Sequence, residues 1–236
     1  MTTLEQVPEA VPSVILIDRE EYNFDFATGV ACSPNAVIEE GTELDAGPRT
    51  IIRSPARLAG KVVMGIECDV YGQLTHSTLG DNVRIDPEAR LTKTTVGNNT
   101  IIGSRTVTGR ASIGSDNIIG AGVGAGPGFT TKQGVNVGLS CIFGARTELR
   151  GGVSIGEGSI FGDDTVIGAD VRVGIAVRGE DGVVICHGSI VGDETRLLND
   201  TTIPPGTHLP ALTLAYSEQL HHFATRPLKE SAERLT

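Results

Sequence analysis

From Phe143 to Thr207 the chain repeats every six residues without a slip. The first position of each hexad is bulky and apolar, as at Phe143, Leu149, Ile155, Phe161, Ile167 and Val173, with Gly179 the exception. The fifth is always small or β-branched, as at Thr147, Val153, Ser159, Thr165, Val171 and Val177. Gly often follows the bulky residue (Gly144, Gly156, Gly162, Gly168), where the chain turns with no Cβ in the way. A two-faced sandwich strand imposes no such period. Short strands that each point one large residue inward and then turn a corner do, and they stack as the coils of a β-solenoid. Three hexads close one triangular coil, so Leu149, Ile167, Ile185 and Ile203 form one internal file and Ile155, Val173 and Val191 another. Successive coils then lie about 4.8 Å apart, the ordinary distance between strands.

Earlier hexads are interrupted. Ile52, Leu58, Met64 and Val70 are six apart, with Ala56, Val62, Cys68 and Leu74 at the fifth position, and a new phase starts at Leu79, Ile85 and Leu91. Steps of five, from Leu91 to Val96 and from Thr108 to Ile113, shorten a corner without breaking the stack. The segment 124–136, GAGPGFTTKQGVN, shows no core position and is expected to leave the coil as an excursion loop shaped by Gly126, Gly128 and Phe129. Residues 1–50 are read as an N-terminal cap, with the strand-like run Val14–Ile17 shielding the open edge. The solenoid is assigned to 51–208, and 209–236 to a helical cap, from the helical spacing of Leu212, Tyr216, Leu220 and Phe223.

Composition fits a narrow interior: no Trp and six Phe, against 31 Gly in 236 residues. One domain suffices, because repeat proteins add coils rather than thicken a core. The net charge of −10 argues against nucleic acid as a partner. Cys32, Cys68, Cys141 and Cys186 have no metal or redox spacing and read as small buried residues of a reducing compartment. With no leader-like N-terminus and no apolar run long enough to span a bilayer, the expectation is a cytoplasmic protein without a membrane partner.

The repeat resembles the left-handed β-helix of the hexapeptide-repeat acyltransferases. IFGARTELRGGVSIGEGS is similar to a coil of tetrahydrodipicolinate N-succinyltransferases, and the Ile-Gly-Ala-Gly at 119–122 to the acetyltransferase domain of N-acetylglucosamine-1-phosphate uridyltransferases. The fold this implies is an all-β solenoid, a left-handed parallel β-helix of hexapeptide repeats with a C-terminal helical segment. The resemblance further implies a homotrimer with active sites between neighbouring prisms, no permanently bound cofactor, and acetyl-CoA or succinyl-CoA as co-substrate with a small-molecule acceptor. In those relatives the pantetheine column begins in the Ile-Gly-Ala-Gly coil. It implies cofactor-binding positions at Ala121 and Ala145, with Asp163 and Asp181 continuing the file, and Lys132 of the loop placed to meet a phosphate or carboxylate.

Acyl transfer needs a base for the acceptor's proton. The histidine of the uridyltransferase type falls on Ser104 and the acid of the succinyltransferases near Ile102, so neither is carried over. Glu148, after Gly-Ala-Arg-Thr as in the succinyltransferases, and His76, where one phase gives way to the next, are the catalytic candidates; His187, in a corner, is weighed below them. Arg105 and Arg146 are the candidate substrate-binding forks, Arg110 and Arg150 lying nearby in sequence. His76, His187 and His208 lack the spacing of a zinc site like that of γ-class carbonic anhydrases, and no metal is expected. The alternative to an enzyme is a non-catalytic β-helix scaffold or assembly subunit.

Overall fold

The computed structural model describes residues 13–17, 20–25, 27–126 and 128–216. It is a left-handed parallel β-helix with three flat faces. The first face carries strands such as Ile101–Ile102, Ile118–Ile119 and Asn136–Val137. The second carries Val107–Gly109, Gly124–Ala125 and Ile142–Phe143, and the third Ser112–Ile113, Thr130–Thr131 and Glu148–Leu149. The first edge joins the first face to the second, the second edge joins the second to the third, and the third edge returns to the first.

Each strand pairs in parallel with the equivalent strand one coil on. Leu149, Ile167, Ile185 and Ile203 are in register on the third face, and Ile155, Val173 and Val191 on the first. Bulky and fifth positions alike are buried. Fifth-position hydroxyls are satisfied inside: Ser159 Oγ donates to the Gly174 carbonyl at 3.1 Å, and Thr165 Oγ1 to that of Gly162 at 3.1 Å. Most corners turn through one left-handed residue, which favours Gly, Asn and Asp.

The segment expected to leave as a loop does not. Gly124–Ala125, Thr130–Thr131 and Asn136–Val137 are successive strands of the coil, and Phe129, Thr131 and Val135 are buried. The bulk has changed position: the inward site of Ala125 is small, and Phe129, at the fifth position, fills the space with its ring centroid 5.1 Å from that of Phe143. Phe143 in turn stacks on Phe161 at 5.9 Å. Gly179, above Phe161, has no room for more, since a Cβ there would meet the ring at 2.5 Å. Thr131 is inward because buried Asn117 serves it. Asn117 Nδ2 donates to Thr131 Oγ1 at 2.6 Å, while Asn117 Oδ1 accepts from the Val135 amide at 2.8 Å.

The coil is also longer than 51–208 at both ends. Val30–Cys32, Val37–Ile38 and Glu43–Ala46 are already strands of the three faces, and Ser13–Ile17 with Glu20–Asp25 extend the first face as an antiparallel hairpin. After Thr207 the repeat continues through His208–Leu209 and Leu214–Ala215, so Leu212 is a corner residue of the coil and not part of a helix. The helix expected over Leu220 and Phe223 lies outside the described residues. Leu74 is a main inward residue, in register with Leu58 and Leu91, and not a fifth-position residue.

Candidate functional site

The second edge collects most of the chemistry. Going up the prism its left-handed corner residues are Gly41, Gly60, His76, Lys93, Arg110, Gly128, Arg146, Asp164, Gly182 and Asp200. Backbone bonds tie them coil to coil, Lys93 N donating to the Thr75 carbonyl at 2.8 Å, Arg110 N to Thr92 at 2.8 Å and Gly128 N to Arg110 at 3.1 Å.

Between Arg110 and Arg146 the second face is stripped of side chains. Gly124 sits between Val107 and Ile142 in the outward row, and Gly109 above Thr92. A Cβ on Gly109 or Gly124 would meet nothing within 4 Å, so both open directly to solvent. The opening stops before the corner: a Cβ on Gly126 would meet the Ala145 amide nitrogen at 2.7 Å and one on Gly128 the Arg146 side chain at 3.4 Å, so Ala145 and Arg146 close its upper end. Small residues let a thin, amide-bearing chain approach the backbone closely.

The expected site residues divide among the three edges. Ala145, Arg146 and Asp163 lie on the second, with Glu148 two residues beyond it on the third face. Ala121 does not: it precedes the corner residue Gly122 on the first edge, beside Ser104 and Arg105 of the coil below, where Gly122 N donates to the Ser104 carbonyl at 2.8 Å. Ala121 and Ala145 are separated by one coil plus one further hexad, which carries the chain to the next edge. Ala121 and Ala145 therefore do not lie on one file, contrary to the expectation from the resemblance. Lys132 is exposed on the third edge, where its amide bonds the Leu149 carbonyl at 2.9 Å, and it does not meet the Ala145 corner. His76 shares the second edge with Arg146 but lies four coils below, about 19 Å at the inter-strand spacing. His76 and Glu148 thus do not form one constellation.

Local bonds explain several of these side chains. Asp163 Oδ1 accepts from the Ala145 amide at 2.8 Å, and Asp181 Oδ1 from the Asp163 amide at 2.8 Å, so both carboxylates run along the prism axis as caps on the coil below. Arg146 forks onto Asp164, Nε to Oδ1 at 2.6 Å and Nη2 to Oδ2 at 2.5 Å. That hydrogen bonding raises the guanidinium above its usual range and lowers the Asp164 carboxyl below that of an ordinary carboxylate. Arg105 is likewise paired, with Glu88 at 3.1 Å. Glu148 projects outward, half-buried between Thr130 and Val166, with Oε1 3.4 Å from Arg150 Nε. His76 Nδ1 accepts from the Lys61 amide at 3.2 Å, and its ring covers Gly60, whose Cβ would meet it at 2.3 Å. His187 is in a third-edge corner and His208 on the first face. Among the described residues no three His, Cys, Asp or Glu side chains are grouped as metal ligands.

Sequence reasoning passed over Lys93 and the row to which it belongs. The signal was present: His76, Lys93 and Arg110 recur at seventeen-residue spacing, each in a shortened corner flanked by small or hydroxyl residues.

Among solved structures the chain is similar to the acetyltransferase domain of PglB from Neisseria gonorrhoeae, at 23% identity over 54% of each chain with a TM-score of 0.39. It is also similar to that domain in complex with acetyl coenzyme A, at 17% identity over 55% of each chain with a TM-score of 0.40. A third is the UDP-N-acetylglucosamine acyltransferase of Francisella novicida, at 19% identity over 77% of this chain and 67% of that one, with a TM-score of 0.38. The chain spans about half the length of the first of these. No family profile matches the chain, and no curated protein matches it.

Proposed function

We propose that the protein is an acyltransferase that takes an acetyl or succinyl group from an acyl-CoA and passes it to an amine or hydroxyl of a small polar metabolite, of the amino-acid or sugar-nucleotide class. The observation that carries this reading is the open patch of the second face at Gly109 and Gly124, which ends below the Ala145 corner of the second edge. It suits the pantetheine arm, which is thin and hydrogen-bonds through amides. Pantetheine lying there brings the thioester to the Ala145 corner, three residues along the chain from Glu148.

Glu148 is the proposed general base. Its contact with Arg150 orients the carboxylate, and an acceptor amine would displace that contact to reach it. Arg146, held by Asp164, shapes the end of the strip. The proposed assembly is a homotrimer. Its support is an apolar row on the second face and first edge, in which Val107, Leu139, Ile142 and Ile175 are each about half exposed. A neighbouring copy seated on the first-edge part of that row, at Leu139 and Ile175, would place the strip between two prisms. No helix among the described residues is long and apolar enough to cross a membrane, and the proposed site of action is the cytoplasm.

A non-catalytic scaffold is favoured by one observation, Ser104 in place of the family's histidine. Incubation with acetyl-CoA and succinyl-CoA separates the two readings. The enzyme releases free thiol with an acceptor present, and Glu148→Gln lowers turnover by about 10² to 10⁴-fold. Thermal stability that neither thioester raises, at concentrations far above ordinary dissociation constants, supports the scaffold.

A further inference from the structure

The lower second edge holds cations with no assigned work. Lys93 and Arg110 occupy consecutive corners one coil apart, with φ 52° and 50°, and Arg90 projects from the strand that leads into the Lys93 corner. Lys61 lies further down, on the strand beyond the Gly60 corner, two coils below Lys93. Most arginines of the coil are matched to a carboxylate, including Arg49, Arg53, Arg57, Arg84, Arg105 and Arg146. Among the described residues Lys61, Arg90, Lys93 and Arg110 have no carboxylate within ion-pair distance. Lys132, Arg172 and Arg178 are likewise without an ion pair among the described residues, but they do not occupy consecutive corners of one edge as Lys93 and Arg110 do.

Hydroxyls flank the cations in register. Thr75 and Thr92 pair on the second face, and Thr78, Thr95 and Ser112 on the third. The buried hydroxyls of the same corners are satisfied, Ser77 Oγ by the Leu91 carbonyl at 3.2 Å and Thr94 Oγ1 by Thr108 Oγ1 at 2.9 Å. Among the described residues the outward side-chain hydroxyls of Thr75, Thr78, Thr92, Thr95 and Ser112 make no hydrogen bond. A row of cations between rows of free donors, repeating at about 4.8 Å, is matched to an anion with several oxygens on linked centres. The overall negative charge disfavours a long polyanion and leaves a short one.

We infer that Lys93 and Arg110, with Arg90 and the flanking Thr92 and Thr95 hydroxyls, form a binding site for a diphosphate group. Its identification as the nucleotide end of the acyl donor rests on the function proposed above. Lys93 lies three coils below Arg146, about 14 Å, so a donor whose thiol end reaches the Ala145 corner along the glycine strip carries its phosphates to this site. A nucleoside diphosphate acceptor offers the same chemistry from the other substrate.

The test is calorimetric titration of the full chain with inorganic pyrophosphate, coenzyme A, uridine diphosphate and a short single-stranded oligonucleotide. The Lys93→Gln/Arg110→Gln double variant and Arg172→Gln on the first face are titrated alongside. Pyrophosphate binds the wild-type protein and Arg172→Gln, and the double variant weakens it by about tenfold or more. Thermal unfolding of the double variant, unchanged because both side chains are solvent-facing, shows that it is folded. A tenfold loss for coenzyme A with none for uridine diphosphate assigns the site to the donor, and the reverse assigns it to the acceptor. Pyrophosphate binding in a protein that does not turn over acyl-CoA supports the site and removes the proposed activity. Turnover with a KM for acyl-CoA that the double variant leaves alone, together with no pyrophosphate binding, overturns the site and leaves the activity standing. Tighter binding of the oligonucleotide than of either small ligand overturns the diphosphate assignment.

Discussion

The coils below Ile113 and those above it build the second edge in two ways. Below, Leu74, Leu91 and Thr108 are seventeen residues apart, and the corner that follows each is one residue short. Above, Phe143, Phe161 and Gly179 are eighteen apart. The additional corner residue is where the upper coils place Ala145, Asp163 and Asp181, and the two aspartates cap the amide of the coil beneath. A short corner has only its left-handed residue, and the side chains of Lys93 and Arg110 there project into solvent. One residue more or less in the turn decides whether the edge is used for the coil's own hydrogen bonds or left available to a ligand.

The interiors differ as well, and the largest expected effect lies there. The upper half is filled by the Phe129, Phe143 and Phe161 stack, so Phe143→Ala should cost about 3–5 kcal/mol of stability, read by denaturant unfolding. A loss no greater than that of an exposed substitution would mean that the stack is not the core of this region. At the join between the halves, Asn117→Ala leaves the Val135 amide and Thr131 without their partner. It should cost about 1–3 kcal/mol, read by denaturant unfolding. The two edges are contrasted directly by Asp163→Ala, expected to cost about 0.5–1.5 kcal/mol for the cap on Ala145, against Lys93→Gln, expected to change stability by less than about 0.5 kcal/mol. Equal costs for the two would erase the distinction between a structural and an available edge.

A smaller effect concerns the thiols, one in each half. Burial pushes the Cys68 and Cys141 thiols above their ordinary range. A raised folded pKa contributes stability below the unfolded value, near about 8.5, and that contribution is lost as pH rises toward the folded one. Unfolding midpoints should therefore fall with alkaline pH, and Cys141→Val should flatten part of the slope. A wild-type profile already flat in that range would contradict the burial of both thiols.

Much of the fold was legible because every strand places one side chain inward, and Phe143 to Ile203 state that position openly. The segment 124–136 was not, because its coil exchanges volumes between positions: Ala125 is small where a bulky residue is usual, and Phe129 is bulky where a small one is usual. A sequence shows volume position by position, whereas a core is filled layer by layer. The continuation through Leu209 and Ala215 was hidden by a helical spacing among Leu212, Tyr216 and later residues that fits the coil equally well up to Tyr216.

The site was less legible for a related reason. Which edge a corner belongs to depends on every shortened step before it, and Ala121 was assigned to the file of Ala145 although a further hexad separates them. The Arg146–Asp164 and Arg105–Glu88 pairs span successive coils, so the occupation of those two guanidinium groups appears only once the coils are stacked. The corner row of His76, Lys93 and Arg110 needed the same count.

The central claim is that the second edge receives an acyl-CoA along its length. A crystal structure of the full chain with coenzyme A tests it most directly. The account predicts the phosphates within hydrogen-bond reach of Lys93 and Arg110, the pantetheine over Gly109 and Gly124, and the thiol at the Ala145 corner. Coenzyme A bound along the first or third edge, or a second edge covered by a neighbouring copy with no room for it, would contradict it.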